Sequence, residues 1–509
     1  MAYKWNESDA DKRIASKLAD VETVSVKEYT RDKTLENIRT NEGYRVHGSH
    51  VYVDILNLSD MLHCTNVEGE TCHKRTLRFL NQHYRMVHQL LKKVDAIKVD
   101  FHNQRLHAVV AKPYDTDDDA EASRVHRAVA IAQLIIDVLK ETADEDEHIP
   151  AAKVRVGIDT GTALAVNNGR SGYREPLFLG KPANHAAKRA GGGKASGIFL
   201  TNDARLAIGL EEVENENTSP LTKDEIAESQ DQADLPTTKE EMVDWWRDDM
   251  ETNPIGSFEF TRPTPPLSNL DISALTPGNS RRLEAMSLYA DIDGFTAYVD
   301  KHIEDNAEDV VRTLHVLRAE MDAVVNGFGG RKIRFIGDCL HGLMAEGTAY
   351  ETDTEVSIST AVICTGAIRS SFDLCLEKLA EKDIDTDGLG IQIGMEFGVS
   401  AISRLGMKGS RIRCAVSRSI LASEDEQLRC GASETAIGEW AWGKGTDGIR
   451  EVFGKRRKRA DLDYETVVKE LADADDRTAK SIQRVARSKS YAPVAVQSLE
   501  RPVRPYSER

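Results

Sequence analysis

No stretch of this sequence approaches the roughly 20 apolar residues that a membrane-crossing helix needs, and its opening, MAYKWNESDADKRIASK, is polar from the first residue. The first absence argues against a helical membrane span. The second leaves no apolar core for a secretory signal, so a cytoplasmic location is expected rather than export. Paired cysteines are also missing: Cys64, Cys72, Cys339, Cys364, Cys375, Cys414 and Cys430 are odd in number and include no CxxC spacing. That pattern fits buried reduced thiols better than disulfides or a zinc site. Excess positive charge is absent as well. A net charge of −17 disfavours a general nucleic-acid binder while still allowing a local phosphate pocket.

What is present is enough chain for two hydrophobic cores, since 509 residues exceed the size at which a single core stops growing. A strand-like VYVDILNL is followed by a helical stretch from Lys74 to Lys93, the hairpin-like pair DAIKVD and RLHAVVAK, and a helix from about Ala120 to Thr142. The strand KVRVGIDTG and the helix ANHAAKRA complete this order. It then recurs: SLYADIDGFT, a helix from Glu308 to Gly327, RKIRFIGDCLHGLMA, a helix from Ser357 to Leu379, GIQIGMEFG and RIRCAVSRSILASE. Two copies of one α/β unit account for this self-similarity.

The expected organisation is a polar N-terminal extension over 1–44, a first copy over 45–210, an acidic insertion or linker over 211–282, a second copy over 283–455 and a basic tail over 456–509. The insertion reads as mostly solvated spacer, docked locally by Trp245 and Trp246. The tail, opening near KRRKRADLD, reads as a solvated basic segment.

In the second copy Asp291 ends the apolar strand SLYA and is followed by IDGFT, where Gly294 permits a tight turn into a helix. Asp338 stands in the turn of RKIRFIGDCLHG, with Gly337 giving the backbone room. Taken alone, either aspartate reads as a turn residue. Together, in this order, they form a carboxylate pair on adjacent strands that suits Mg²⁺ and a triphosphate.

The blocks YADIDGFT and RKIRFIGDCLHG resemble the two metal-site motifs of class III adenylate and guanylate cyclases, and the first copy resembles the same domain over its length. The resemblance implies an α/β fold of the α+β, ferredoxin-like kind: two tandem class III cyclase homology domains packed head to tail as a pseudo-heterodimer. It also implies two divalent cations, Mg²⁺ or Mn²⁺, held by Asp291, Asp338 and the backbone carbonyl of Ile292, assisting attack of the 3′-hydroxyl on the α-phosphate with loss of pyrophosphate.

The first copy keeps Asp54 but has Gln104 where Asp338 stands, and a neutral amide does not replace that charge. Its segment GYREPLFLGKPANHAAKRA resembles the family's glycine–asparagine–arginine segment. On that resemblance Gly180 opens a helix, Asn184 orients the ribose and Lys188, on the same helix face, places positive charge on the forming phosphorane. Arg189 is the alternative, because the family has arginine there. The second copy carries Ser419 and Glu424 at those two places, and Gln392 replaces an arginine that the family's metal-side domain holds near the phosphates. Arg331, Lys332 or the basic tail are candidates to compensate. The copies have lost opposite halves, so one composite site per chain is expected.

Asp100 and Leu177 stand where the family's purine-reading lysine and its aspartate or threonine stand, with Tyr173 and Arg174 nearby to read another base edge. Losing both hydrogen-bonding groups should change the substrate. Tandem degenerate domains with lost purine determinants resemble the pyrimidine cyclases of Pycsar anti-phage systems. That resemblance implies UTP or CTP as substrate, with UTP favoured, and a separate effector protein that senses the cyclic product. A monomeric pseudo-heterodimer with no nucleic-acid partner is expected, with a higher oligomer left open. Two other readings stay open: an adenylate cyclase with an atypical base pocket, and a catalytically inactive nucleotide-binding sensor.

Overall fold

Valines and isoleucines recur along residues 46–55 and again along 154–166, with Gly48 and Gly157 where backbones approach closely, and these two runs become the paired central strands of the first copy. The computed structural model describes residues 3–63, 69–144, 150–168 and 176–490. A helix α1 (Glu7–Asp20) and a strand β1 (Ser25–Glu28) come first. The first copy then runs β2 (Glu42–Ile55), α2 (Leu58–His63), α3 (Glu70–Lys93), β3 (Ile97–His102), β4 (Arg105–Val110) and α4 (Asp118–Asp144). It continues through β5 (Val154–Asn167), β6 (Pro176–Leu179), α5 (Lys181–Ala190), β7 (Gly197–Leu200) and α6 (Asn202–Ala207). Its sheet has the order β3-β4-β2-β5-β6, with β1 beside β2 and β7 beside β5.

Two helices, α7 (Lys223–Ala233) and α8 (Lys239–Thr252), and a short strand β8 (Phe260–Thr261) connect the copies. The second copy repeats the plan: β9 (Ser280–Asp293), α9 (Phe295–His302), α10 (Ala307–Gly327), β10 (Arg331–Ile336), β11 (Cys339–Met344) and α11 (Thr354–Ala380). There follow β12 (Gly390–Leu405), β13 (Ile412–Val416), α12 (Arg418–Leu428), β14 (Glu434–Ile437), α13 (Glu439–Lys444), α14 (Asp447–Phe453) and β15 (Lys458–Ala460). This sheet has the order β10-β11-β9-β12-β14-β15, with β13 beside β12 and β8 beside β9. Register makes the copies comparable residue by residue. Asp54 lies opposite Arg155 on β2 and β5, and Asp291 lies opposite Gln392 on β9 and β12.

The copies pack head to tail by exchanging apolar arms. Leu164, Val166, Leu177 and Leu179 from β5 and β6 join the core of the second copy. In return Ala401, Leu405, Ile412, Cys414 and Val416 from β12 and β13 join the core of the first. Burial of this kind contributes about 25 cal/mol per Å² of apolar surface, so neither core is complete without its neighbour.

Three segments are more ordered than their composition predicts. The acidic insertion is no spacer: Thr222 with Glu225 and Thr238 with Glu241 form capping boxes that start α7 and α8, each worth about 1 kcal/mol. Met242, Trp246 and Phe258 then enter the first copy's core, with Trp245 partly buried against it. Arg85 on α3 pairs with Asp249 on α8 in a buried contact. The described part of the basic tail, up to residue 490, is also folded, since β15 extends the second sheet and α15 (Tyr464–Asp473) and α16 (Arg477–Ser490) follow it. The polar extension supplies α1, whose Ala10 and Ile14 are buried in the second copy's core and whose Arg13 pairs with Glu320 at 2.6 Å. Charge patterning misleads here because each helix hides one narrow apolar stripe beneath a charged face.

The six described cysteines are free, and all but Cys430 are buried. Among the described residues no helix is long and apolar enough to cross a membrane.

Candidate active site

The apolar strand β9 delivers Asp291 to its end, and the chain then turns at Gly294 with φ 76°. A Cβ there would stand 2.2 Å from the carbonyl oxygen of Gly388, so only glycine fits. β10 and β11 form a hairpin in which Ile336 pairs with Cys339, leaving Gly337 (φ 60°) and Asp338 as the two-residue turn. Because Leu340 on β11 pairs with Ala290 on β9, that turn rises beside Asp291. Burial pushes the Asp291 carboxyl upward, and burial plus the charge of Asp291 pushes Asp338 well above the ordinary carboxylate range. Two crowded acids of this kind are relieved by a cation. Gln392 donates to Oδ2 of Asp291 at 3.0 Å, and Gln427 donates to the same oxygen at 3.3 Å.

The cations named to compensate for Gln392 are engaged elsewhere. Lys332 pairs with Asp322, Arg331 donates to the carbonyl of Ser268, and the tail helices lie over α11. The cation whose charge bears on Asp338, offsetting only part of what burial does to it, is instead Arg318 on α10, a residue the sequence did not mark. Arg318 also donates to the carbonyl of Asn168 in the first copy at 3.0 Å.

The complementary side comes from α5. Gly157 on β5 lets this helix lie directly on the sheet, since a Cβ there would stand 2.1 Å from the carbonyl oxygen of Ala186. Asn184 faces the second copy and its Nδ2 donates to Oγ1 of Thr296, in the first turn of α9, at 3.0 Å. Lys188 is exposed one turn on, and its charge with those of His185 and Lys181 bears on Asp300 of α9. Arg189 is turned to the insertion, where it pairs with Glu216 at 2.7 Å.

The equivalents of these residues in the second copy differ from the sequence alignment. Gly394 approaches Ser423 and Gln427 just as Gly157 approaches Ala186 and Ala190, so Leu421 and Asp425, rather than Ser419 and Glu424, answer to Asn184 and Lys188. Glu424 has another task. It pairs with Arg105 of the first copy at 2.8 Å, next to Asp54, whose carboxyl burial raises to about 6. Arg155, counterpart of Gln392, is fully buried and donates to the carbonyls of Arg189, Ala195 and Asn217. The second, symmetry-related site is therefore filled by side chains.

Beside Asp338 a pocket opens between the copies, lined by Tyr52, Asp100, Leu177 and Asn168 of the first and by Ile336 and Gly337 of the second. Tyr52 stacks on His107 with centroids 3.9 Å apart, and burial drives His107 well below its ordinary pKa. Arg334 of the second copy forms an ion pair with Asp100. Tyr173 and Arg174 lie outside the described residues. The alignment named Asp100 and Leu177, but it passed over Tyr52, Asn168 and Arg334, because their place in the pocket depends on how one copy packs against the other and not on the spacing within a motif.

Residues 49–227 and 280–417 match the family model of the adenylate and guanylate cyclase catalytic domain, and the chain belongs to that family, the class III nucleotidyl cyclases. Over its whole length it is similar to a uridylate cyclase of Pseudomonas aeruginosa, 55% identical over 512 aligned residues covering 100% of this chain and 99% of the relative. A uridylate cyclase of a Rhizobium species is 38% identical over 426 residues, 80% of each chain. A crystal structure of a class III adenylyl cyclase-like ATP-binding protein from Pseudomonas aeruginosa superposes with a TM-score of 0.91 at 56% identity, covering 92% of this chain and 100% of that one.

Proposed function

We propose that this chain converts UTP to 3′,5′-cyclic UMP and pyrophosphate at a single composite site. The observation that carries the reading is the pocket beside Asp338: where purine cyclases present a lysine and an aspartate or threonine, it presents Asp100 and Leu177, with Tyr52 alongside. A carboxylate there accepts a hydrogen bond from a ring N–H such as N3–H of uracil, and Leu177 offers no partner to a second purine edge. The names of the two relatives similar over most or all of their length favour uracil over cytosine.

Asp291 and Asp338 fit divalent cations. They are two buried carboxylates close enough for the charge of Asp291 to act on Asp338, a donor set that leaves room for substrate phosphates and water around Mg²⁺ or Mn²⁺. The carbonyl of Ile292 would be a third protein ligand. Such ions, when bound, supply charge that activates the 3′-hydroxyl and neutralises the triphosphate. Asn184 orients the ribose, and its bond to Thr296 sets the ribose against the metal side. Lys188 would stabilise negative charge on the α-phosphate as the new P–O bond forms and the bond to pyrophosphate breaks. The first turn of α9 has no side-chain cap, so its backbone amides would be available to the β- and γ-phosphates.

The resemblance to Pycsar cyclases supports a second-messenger role in anti-phage defence, with the chain acting as a monomer in the cytoplasm and its product read by a separate effector protein. A second reading, a nucleotide-binding sensor without turnover, is favoured by Gln392, which occupies the phosphate-side arginine position and bonds Asp291 instead. Incubation of the protein with Mn²⁺ and each of ATP, GTP, CTP and UTP, with products separated against cyclic standards, distinguishes these. Cyclic UMP is expected. Cyclic AMP alone would overturn the pyrimidine reading, and no product from any nucleotide would favour the sensor.

A further inference from the structure

The two copies carry the same aromatic pair at the same register. Tyr52 lies opposite His107 on β2 and β4, Tyr289 lies opposite His341 on β9 and β11, and each tyrosine stacks on its histidine, at 3.9 and 4.5 Å. On the next strand both copies have an irregularity, and the residue that then faces the histidine is Asp100 in the first copy and Arg334 in the second. Asp100 and Arg334 are thus structural counterparts of opposite charge. Cys414 likewise answers to Leu177, since Val166 pairs with Leu177 and Ser403 with Cys414 in the corresponding hairpins.

These equivalences define one open and one closed base pocket. Tyr289, His341, Arg334 and Cys414 are each no more than 2% exposed, whereas Tyr52 and Asp100 line the cleft beside Asp338. Arg334 occupies the closed pocket and extends out of it across the boundary between the copies. Its Nη2 pairs with the Asp100 carboxylate, while its Nη1 donates to the carbonyl of Phe101 and, at 3.4 Å, to that of Arg413. A planar guanidinium held by two carbonyls has one orientation, so it fixes the carboxylate it binds.

Building on the pyrimidine cyclase reading, we infer that Arg334 is a positioning residue for base selection: it plugs the vestigial base pocket and holds Asp100 as hydrogen-bond acceptor for the base in the working one. The decay of one pocket thereby supplies the specificity of the other. Lysine cannot substitute, because a point charge on a flexible stem lacks the fork that engages Asp100 and Phe101 together.

Binding is measured by calorimetry on the full chain with the 3′-deoxy forms of UTP, CTP, ATP and GTP, which cannot cyclise. Arg334→Lys, Arg334→Met and Asp100→Asn are each expected to weaken the preferred nucleotide by about tenfold or more, moving the other three by less than about threefold. The Asp100→Asn/Arg334→Met double variant should lose little beyond either single one, because both act through one contact. Equal weakening of all four nucleotides, or no weakening of the preferred one, would overturn the inference. Asp100→Asn is nearly isosteric and keeps the test decisive if Arg334→Met fails to fold. A wild-type preference for a base other than uracil would sink the uridylate reading, while the same ranking test, applied to that base, would still judge Arg334.

Discussion

The side-chain amide of Asn184 and the hydroxyl of Thr296 lie 3.0 Å apart and belong to different copies of the repeated unit, one on the helix α5 and the other in the first turn after the Asp291 strand. A residue proposed to hold the ribose is thus hydrogen-bonded to the metal side before any nucleotide arrives. That contact lies within one chain, which gives the two copies a fixed partner.

Mixing two inactive variants tests this directly. Asn184→Ala and Lys188→Ala should each lower turnover about 10²- to 10³-fold, and Asp338→Asn should abolish it. Combining Asp338→Asn chains with Lys188→Ala chains should restore nothing in a pyrophosphate-release assay. Recovered activity would mean that sites form between chains.

The Asp291–Asp338 pair should separate activity from stability. Without a cation these carboxyls sit in a site that raises both pKa values, so neutralising either one relieves the fold. Asp338→Asn is expected to melt a few degrees higher than wild type in chelator, and Mg²⁺ should stabilise the wild type but not the variant. A lower melting point for Asp338→Asn in chelator would contradict the assignment.

Asp54 predicts a pH dependence. Its carboxyl is raised to about 6 by burial, so between the ordinary aspartate range and pH 6 the folded chain keeps a proton that the unfolded chain has released. Stability is therefore greatest in acid with respect to this group and declines as pH rises from about 4 to 6. Asp54→Asn removes the decline: denaturation should find it about 2 kcal/mol more stable than wild type at pH 7.5 and equal near pH 4. Turnover should largely survive, since Gln104 leaves this copy without a second metal carboxylate.

Asp249 tests whether the insertion is structural. Its pairing with Arg85 is nearly inaccessible on both sides, so Asp249→Ala strands a buried guanidinium and should cost about 3–5 kcal/mol. KM for the nucleotide should be unchanged in protein that remains folded. Unaltered urea denaturation would show that the insertion is dispensable to the fold.

The repeat, the strand ends that carry Asp291 and Asp338, and the helix bearing Asn184 were legible because each is a contiguous string in which a strand end, a glycine and a polar residue follow one another. Asp338 could be placed from the sequence since a two-residue hairpin leaves little freedom. The alignment of α12 slipped because no glycine or asparagine marks its register, and only the close approach of Gly394 to Ser423 and Gln427 fixes it. The insertion was misjudged on its acidity, although Thr222–Glu225 and Thr238–Glu241 spell capping boxes. Arg334 and Tyr52 were out of reach for another reason. Arg334 matters through its ion pair with a strand of the other copy, and Tyr52 through a pocket it shares with Ile336 and Gly337 of the other copy, and a linear sequence records neither.

Residues 7–20 are made long before the elements they pack against. The helix they form rests on α10 and α11, which are made only after the whole first copy and its connector, while the first copy's own core awaits apolar residues of β12 and β13. Contacts this distant along the chain are slow to close. A nascent chain stopped before residue 354 would therefore hold a helix without its α11 partner, and one stopped before residue 416 an unfinished first core, so synthesis should yield a whole cyclase or none, with no functional half-product in between.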